Sequence, residues 1–259
     1  MSQTKLYIWA NPLKVTSFLD HTWVTTYDPV AACPPDTSNG DYWFCWGICH
    51  MSGQYNPQAR LLNSREGKME LATCISSPND KDDHAGITGM YGLHGVCHQV
   101  ANRILFSTEN EHEAPLLVDG AHGFWLSYLL YGDYGGKDDN WEQVQMQCGV
   151  VSIRPNDMEL QAMSAMLQTA LGPAFAPAMM DQLRELQQEM LAQKHEYALR
   201  VEQGQMRMEE FAIAINKLLT NYVPRLAETI GIGYSRTVFG IEPGEEVYLL
   251  DTEIAARYD

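Results

Sequence analysis

The run HAGITGMYGLHGVCHQ, residues 84–99, holds the densest set of reactive side chains in the chain. Its glycines precede a helical pattern, which places Cys97 in the first turn of a helix. Unpaired backbone N–H groups and the helix dipole favour an anion there, so the position predicts a thiol that ionises readily. A thiolate is the nucleophilic form, and the same N–H groups could hold a developing oxyanion. One helix end thus offers both halves of an acyl-transfer site. The plain alternative is that Cys97 is a small core residue, as free cysteines often are.

A nucleophile needs a base, and two histidines are candidates. In DHTWVTTY, residues 20–27, His21 heads a strand-like run whose alternate residues Trp23, Thr25 and Tyr27 share its face. Downstream, LLVDGAHGFW at 116–125 offers His122 as an alternative base with Asp119 as its neighbour, although the Gly-Ala-His-Gly context reads as a turn. Trp23, Tyr91 and His94 are candidate substrate-binding residues. A metal site is the rival use of the same groups: His94 and His98 are four apart and flank Cys97. Gly92 and Gly95 argue that the helix begins between them, which would separate the two rings, and Cys45 with Cys49 is a lone second pair. No metal is assigned.

The elements that must position these groups change character along the chain. Up to about residue 154, strand-like runs at 6–10, 22–27, 42–49, 69–75, 116–119 and 144–153 alternate with turn chemistry, and one helix is expected over 95–107. After Arg154-Pro155 the texture turns helical. Asn156 and Glu159 suggest the cap of a helix that stops at Gly172-Pro173. A second helix from Pro177 carries the stripe Met179, Leu183, Leu186 and Met190. A third, after Gly204, carries Met208, Phe211, Ile215, Leu218 and Tyr222. The two stripes read as a helical hairpin whose methionines are core, or else an adaptable binding face. Residues 247–251 suggest an edge strand. The fold class is therefore α+β, with residues 1–154 as a mixed domain and 155–259 as a helical appendage serving as lid, clamp or dimerisation element.

Composition narrows the partners. A 45% apolar and 19% charged chain of 259 residues can build a core and lacks the signature of disorder. A net charge of −16 without a basic run disfavours nucleic acid and weakly favours a cationic substrate. No signal peptide or 18-residue apolar run is present, and six scattered cysteines suggest reduced thiols. A cytoplasmic protein, or one exported without a cleavable signal, is expected, with no membrane partner. Phosphate loops, dinucleotide fingerprints, Gly-x-Ser-x-Gly and His-Glu-x-x-His are absent, and no cofactor is expected.

Together, DHTWVTTY and YGLHGVCHQVANRIL resemble the papain-like cysteine hydrolase and acyltransferase superfamily, in its permuted NlpC/P60-like branch, where the histidine strand precedes the cysteine helix. The resemblance covers roughly residues 20–107. It implies an antiparallel sheet with a Cys-bearing helix, and amide cleavage or transfer through a thioester, with Cys97 as nucleophile and His21 as base. It also implies a third polar residue that orients the histidine. Asp41 is the choice, with Cys45 and His50 as others. The substrate would be a small-molecule or peptide amide, and the C-terminal helices would be free to form a homodimer.

Overall fold

The computed structural model describes residues 3–12, 19–28, 43–44, 59–68, 90–108, 116–135 and 160–259. Four strands, β1 (Gln3–Pro12), β2 (Asp20–Thr25), β3 (Trp43–Phe44) and β4 (Arg60–Lys68), form an antiparallel sheet in the order β3-β2-β1-β4. Ile8 lies opposite Val24, Ala10 opposite Thr22 and Pro12 opposite Asp20. Strand alternation therefore puts Leu6, Ile8, Ala10, Asp20, Thr22 and Val24 on one face, all fully or almost fully buried. Tyr7, Trp9, His21 and Trp23 occupy the other face, where Trp9 and Trp23 form a separate apolar cluster. A register shift between Ile8 and Trp9 marks a bulge against β4.

Helix α1 (Cys97–Leu105) packs on β2 and continues as a 3-10 turn over Phe106–Thr108. Its cap is Val96, whose N–H is taken by Gln99 Oε1 at 3.1 Å. Helix α2 (Phe124–Tyr131), FWLSYLLY, is buried on every side. Helices α3 (Gln161–Leu171), α4 (Pro177–Glu202) and α5 (Met208–Ile230) follow, then the short α6 (Ser235–Phe239) and α7 (Thr252–Ala255). The protein is a mixed α+β structure with an antiparallel sheet.

The α4–α5 pair is the expected helical hairpin, and its stripes are core. Leu183, Leu186, Met190, Met208, Phe211, Ile215, Leu218 and Tyr222 are buried and Met179 is half-buried, so these methionines fill space inside the fold and offer no open face. One cluster of apolar side chains runs from Leu6 through α1 and α2 to Ala255.

Two expected strands are absent. Residues 116–119 are irregular with a turn beginning at Asp119, because their buried groups are held by side chains: the Val118 N–H goes to Asn102 Oδ1 at 2.9 Å. Residues 247–251 are likewise irregular, and their backbone bonds go to side chains of α5 and to Tyr91. The runs 69–75 and 144–153, Asn156, and all of 42–49 except β3 lie outside the described residues. No helix among the described residues is long and apolar enough to cross a membrane.

Candidate active site

Cys97 is the first residue of α1, as the glycine pattern predicts. Its neighbour is the start of β2: Sγ lies 3.9 Å from the Asp20 carbonyl oxygen. The expectation of a readily ionised thiol is reversed. Burial pushes the Cys97 thiol up to about 11, outweighing hydrogen bonds from Thr22 and the His98 backbone, and the Asp20 charge adds to the rise. At 6% exposure, the loss of water outweighs what a helix end supplies.

His21 is not the partner of this thiol. Its ring stacks on Trp23 at 5.7 Å on the sheet face opposite Asp20 and Thr22, because adjacent strand residues point to opposite sides. Trp23, read as substrate-binding, is buried on that far face too. Asp41 lies outside the described residues. His94 Nδ1 accepts the Met90 N–H at 2.8 Å and so fastens the turn before α1. Tyr91 is 4% exposed, and its hydroxyl oxygen accepts the Asp251 N–H at 2.8 Å.

The alternative base, His122, meets the same strand residue as the thiol does. His122 lies on the turn before α2, and its backbone is joined to Asp20 in both directions: Asp20 N–H donates to His122 O at 3.0 Å, and His122 N–H donates to Asp20 Oδ2 at 2.7 Å. The same carboxylate oxygen stands 3.3 Å from His122 Nδ1 and accepts Arg60 Nη2 at 2.6 Å. Asp20, rather than Asp119, is therefore the carboxylate beside His122; Asp119 is exposed. Asp20 is fully buried while the His122 and Arg60 side chains are 55% and 37% exposed, so the pair forms the solvent edge of a buried charge. Arg60 also donates to Gly120 O at 2.9 Å, which fixes the guanidinium against the same turn. The Nδ1 contact is an ion-pair approach at 3.3 Å, and the hydrogen bond between the two residues is the one from the His122 backbone.

His98, whose spacing in the sequence suggests only a metal ligand, completes the cluster. It is fully buried, with Nε2 3.0 Å from the Asp20 carbonyl oxygen and Nδ1 2.9 Å from Ser127 Oγ. Burial pulls its pKa down to about 4, against the Asp20 charge and a hydrogen bond at Asp20 that favour the proton. The ring is neutral at pH 7. Because a carbonyl oxygen can only accept, Nε2 carries the hydrogen; the Ser127 hydroxyl beside Nδ1 has one hydrogen and a rival acceptor in Phe124 O at 2.8 Å. His94 turns to Met90 while Cys97 Sγ and His98 Nε2 both meet the Asp20 carbonyl oxygen, and no three His, Cys, Asp or Glu groups converge as metal ligands among the described residues.

Asp20 and Arg60 carry no sequence signal of their own. Asp20 adjoins His21 in the motif, and the alternation that moves His21 away is what brings Asp20 in. Two surface clefts among the described residues, of about 370 and 340 Å³, lie against α3–α4 and α4–α5 and contain none of these residues. No protein-family model, curated protein or solved structure matches the chain, so the chemistry of the cluster rests on its own geometry.

Proposed function

We propose that this protein is a thiol-dependent amide hydrolase or acyl transferase in which Cys97 is the nucleophile and His122, oriented by Asp20, is the general base. The observation that carries this reading is the position of Asp20. Its carbonyl meets the Cys97 thiol and its carboxylate meets His122, so one strand residue joins the helix that bears the nucleophile to the turn that bears the base.

In this mechanism Cys97 Sγ attacks the substrate carbonyl carbon as its proton passes to His122 Nε2. The carbonyl oxygen takes the negative charge and is met by the backbone N–H of Cys97 at the start of α1. Collapse forms the thioester and breaks the C–N bond, and the proton on Nε2 goes to the departing amine. Water or a second amine then attacks the thioester with His122 again accepting a proton, which releases acid or transferred product and restores the thiol. Asp20 keeps Nδ1 protonated and offsets the imidazolium charge that forms. Arg60 holds the carboxylate in place.

The test is acylation by p-nitrophenyl acetate, with the acetyl group located by mass spectrometry. Cys97 should be acetylated first among the six cysteines, His122→Ala should slow that step about a hundredfold, and His21→Ala should leave it unchanged. Acetylation of Cys97 no faster than of the other thiols, and indifferent to His122, would overturn the reading.

One observation favours a second reading. The low exposure of Cys97 and its high thiol pKa suit a packing residue in a non-enzymatic interaction protein. In that case Cys97→Ala costs stability by loss of packing, and no variant at His122 alters any reaction of the chain.

A further inference from the structure

Strand β2 meets the first turn of α1 along one side and one face. On the side away from β1, Asp20 O takes His98 Nε2 at 3.0 Å and lies 3.9 Å from Cys97 Sγ, while Asp20 N–H goes to His122 O at 3.0 Å. Both backbone groups of Asp20 therefore point towards the cluster. Backbone directions repeat every second residue in an antiparallel strand, so the Thr22 N–H points from the same side. Among the described residues β3 pairs only with Val24 and Thr25, and it leaves this stretch to α1. On the face, Thr22 is fully buried between Asp20 and Val24, opposite Ala10.

Thr22 Oγ1 is buried without an ordinary hydrogen-bond partner. Thr25 of the same strand shows the usual arrangement: its Oγ1 accepts Trp9 Nε1 and donates to Tyr27 O, each at 2.8 Å. A buried hydroxyl with no partner destabilises a fold, and valine has the same branched shape without the polar group. The polar group that Thr22 faces is the Cys97 thiol, whose pKa its N–H and its hydroxyl both hold down against the burial that raises it. A neutral thiol is a weak acceptor, whereas a charged acceptor draws a hydrogen bond roughly twice as strong as a neutral one. The hydroxyl is thus poorly used in the resting protein and well used once Sγ carries charge. Asp20 O keeps a partner in both states, because His98 Nε2 stays bonded to it when the thiol hydrogen leaves.

We propose that Thr22 Oγ1 is the donor for the thiolate of Cys97, a hydroxyl kept without a partner in the resting protein so that it meets Sγ as the proton departs. Thr22 forms no covalent bond and gives up no proton: its hydrogen turns to Sγ while the thiol proton passes to a base. This role deepens the function proposed above and rests on it only in taking Cys97 as the nucleophile.

The test is the rate of Cys97 alkylation by iodoacetamide from neutral to mildly alkaline pH, read by mass spectrometry in wild type, Thr22→Val and Thr22→Ser, together with the urea midpoint of each. Sγ forms the bond to carbon and iodide leaves, so the rate follows the thiolate present. Thr22→Val should slow alkylation by about tenfold or more, the factor that a lost hydrogen bond to a charged group gives, while its urea midpoint stays level or rises. Thr22→Ser keeps the hydroxyl and should react nearly as fast as wild type. Alkylation of Thr22→Val at the wild-type rate would overturn the proposal, and so would equal slowing in Thr22→Ser, which lacks only the methyl group. Wild-type alkylation that climbs with urea in step with unfolding would show that Cys97 is reached only in the unfolded chain, and this would overturn it even if neither variant folded. Acyl transfer enters none of these readouts. Absent acetylation with slowed Thr22→Val alkylation would sink the amide chemistry and keep the thiolate donor; acetylation of Cys97 with unchanged alkylation would do the reverse.

Discussion

His98, next to Cys97, shows how strongly burial governs this helix end. The folded protein holds the ring neutral with a pKa near 4, whereas an unfolded chain takes up a proton near 6.5. Folding therefore releases a proton across that window, and the neutral ring's contribution is complete above pH 6.5 and is lost as pH falls towards 4. The shift corresponds to about 3 kcal/mol. Urea unfolding at several values between pH 7.5 and 4 should show wild-type stability falling by that order relative to His98→Gln; parallel profiles for the two proteins would contradict it. A second residue-scale prediction concerns Arg60. Asp20 is fully buried, and without the guanidinium its charge keeps only neutral donors and His122, so Arg60→Ala should destabilise the protein by about 2–4 kcal/mol, measured by chemical denaturation. At this scale the sequence disclosed Cys97 and its place at a helix start, because glycines and an apolar stripe are local signals. It did not disclose which histidine stands beside Asp20. That choice depends on which face of β2 meets α1, and strand alternation alone says only that Asp20 and His21 point opposite ways.

Helix α2 makes the corresponding point for elements. It ends inside the protein, and its last carbonyls are met by side chains from α4: Gln187 Nε2 donates to Leu129 O at 3.2 Å and Lys194 Nζ to Leu130 O at 2.9 Å. From α1, Gln99 Nε2 reaches Gly132 O at 3.1 Å, Asn102 Nδ2 reaches Asp133 O at 2.7 Å, and Arg103 reaches Tyr134 O. Lys194 also lies 3.9 Å from the centre of the Tyr131 ring, so a helix C-terminus and an aromatic face both favour its cation, while burial pulls its pKa down to about 7. Gln187→Leu keeps much of the volume and leaves the Leu129 carbonyl without this donor. It should cost about 1–3 kcal/mol in urea denaturation, and a neutral result would mean that water replaces the amide. These dependencies explain what the sequence hid. Helices α4 and α5 were legible because their apolar residues recur on one stripe. FWLSYLLY has no polar face, so it has no helical period to detect, and its end signals are donors far away in the chain. Strand β4, RLLNSREGK, alternates too weakly to announce itself and is placed by pairing with β1.

For the whole molecule, the open question is whether the change of texture at residue 154 is a boundary in cooperativity. The apolar cluster passes from the sheet and α1 through α2 to α4, α5 and the C-terminal residues, and polar links follow the same route: Gln187 to Leu129, Asn216 to Leu250, Asp251 to Tyr91. A Cβ at Gly240 would meet the Gly123 nitrogen at 2.6 Å, so the loop after α6 also packs directly on the turn that carries His122. With these contacts, unfolding the helical half would strip the covering from the Tyr91 and His122 turns, and neither half would keep a complete core. All six tryptophans lie before residue 154, whereas most of the described helix lies after it. Tryptophan fluorescence thus reports one half and far-ultraviolet circular dichroism mainly the other. In guanidinium the two probes should give one coincident transition, as expected of a single cooperative unit. If the helical signal were lost at a clearly different denaturant concentration from the fluorescence, the halves would be separate domains.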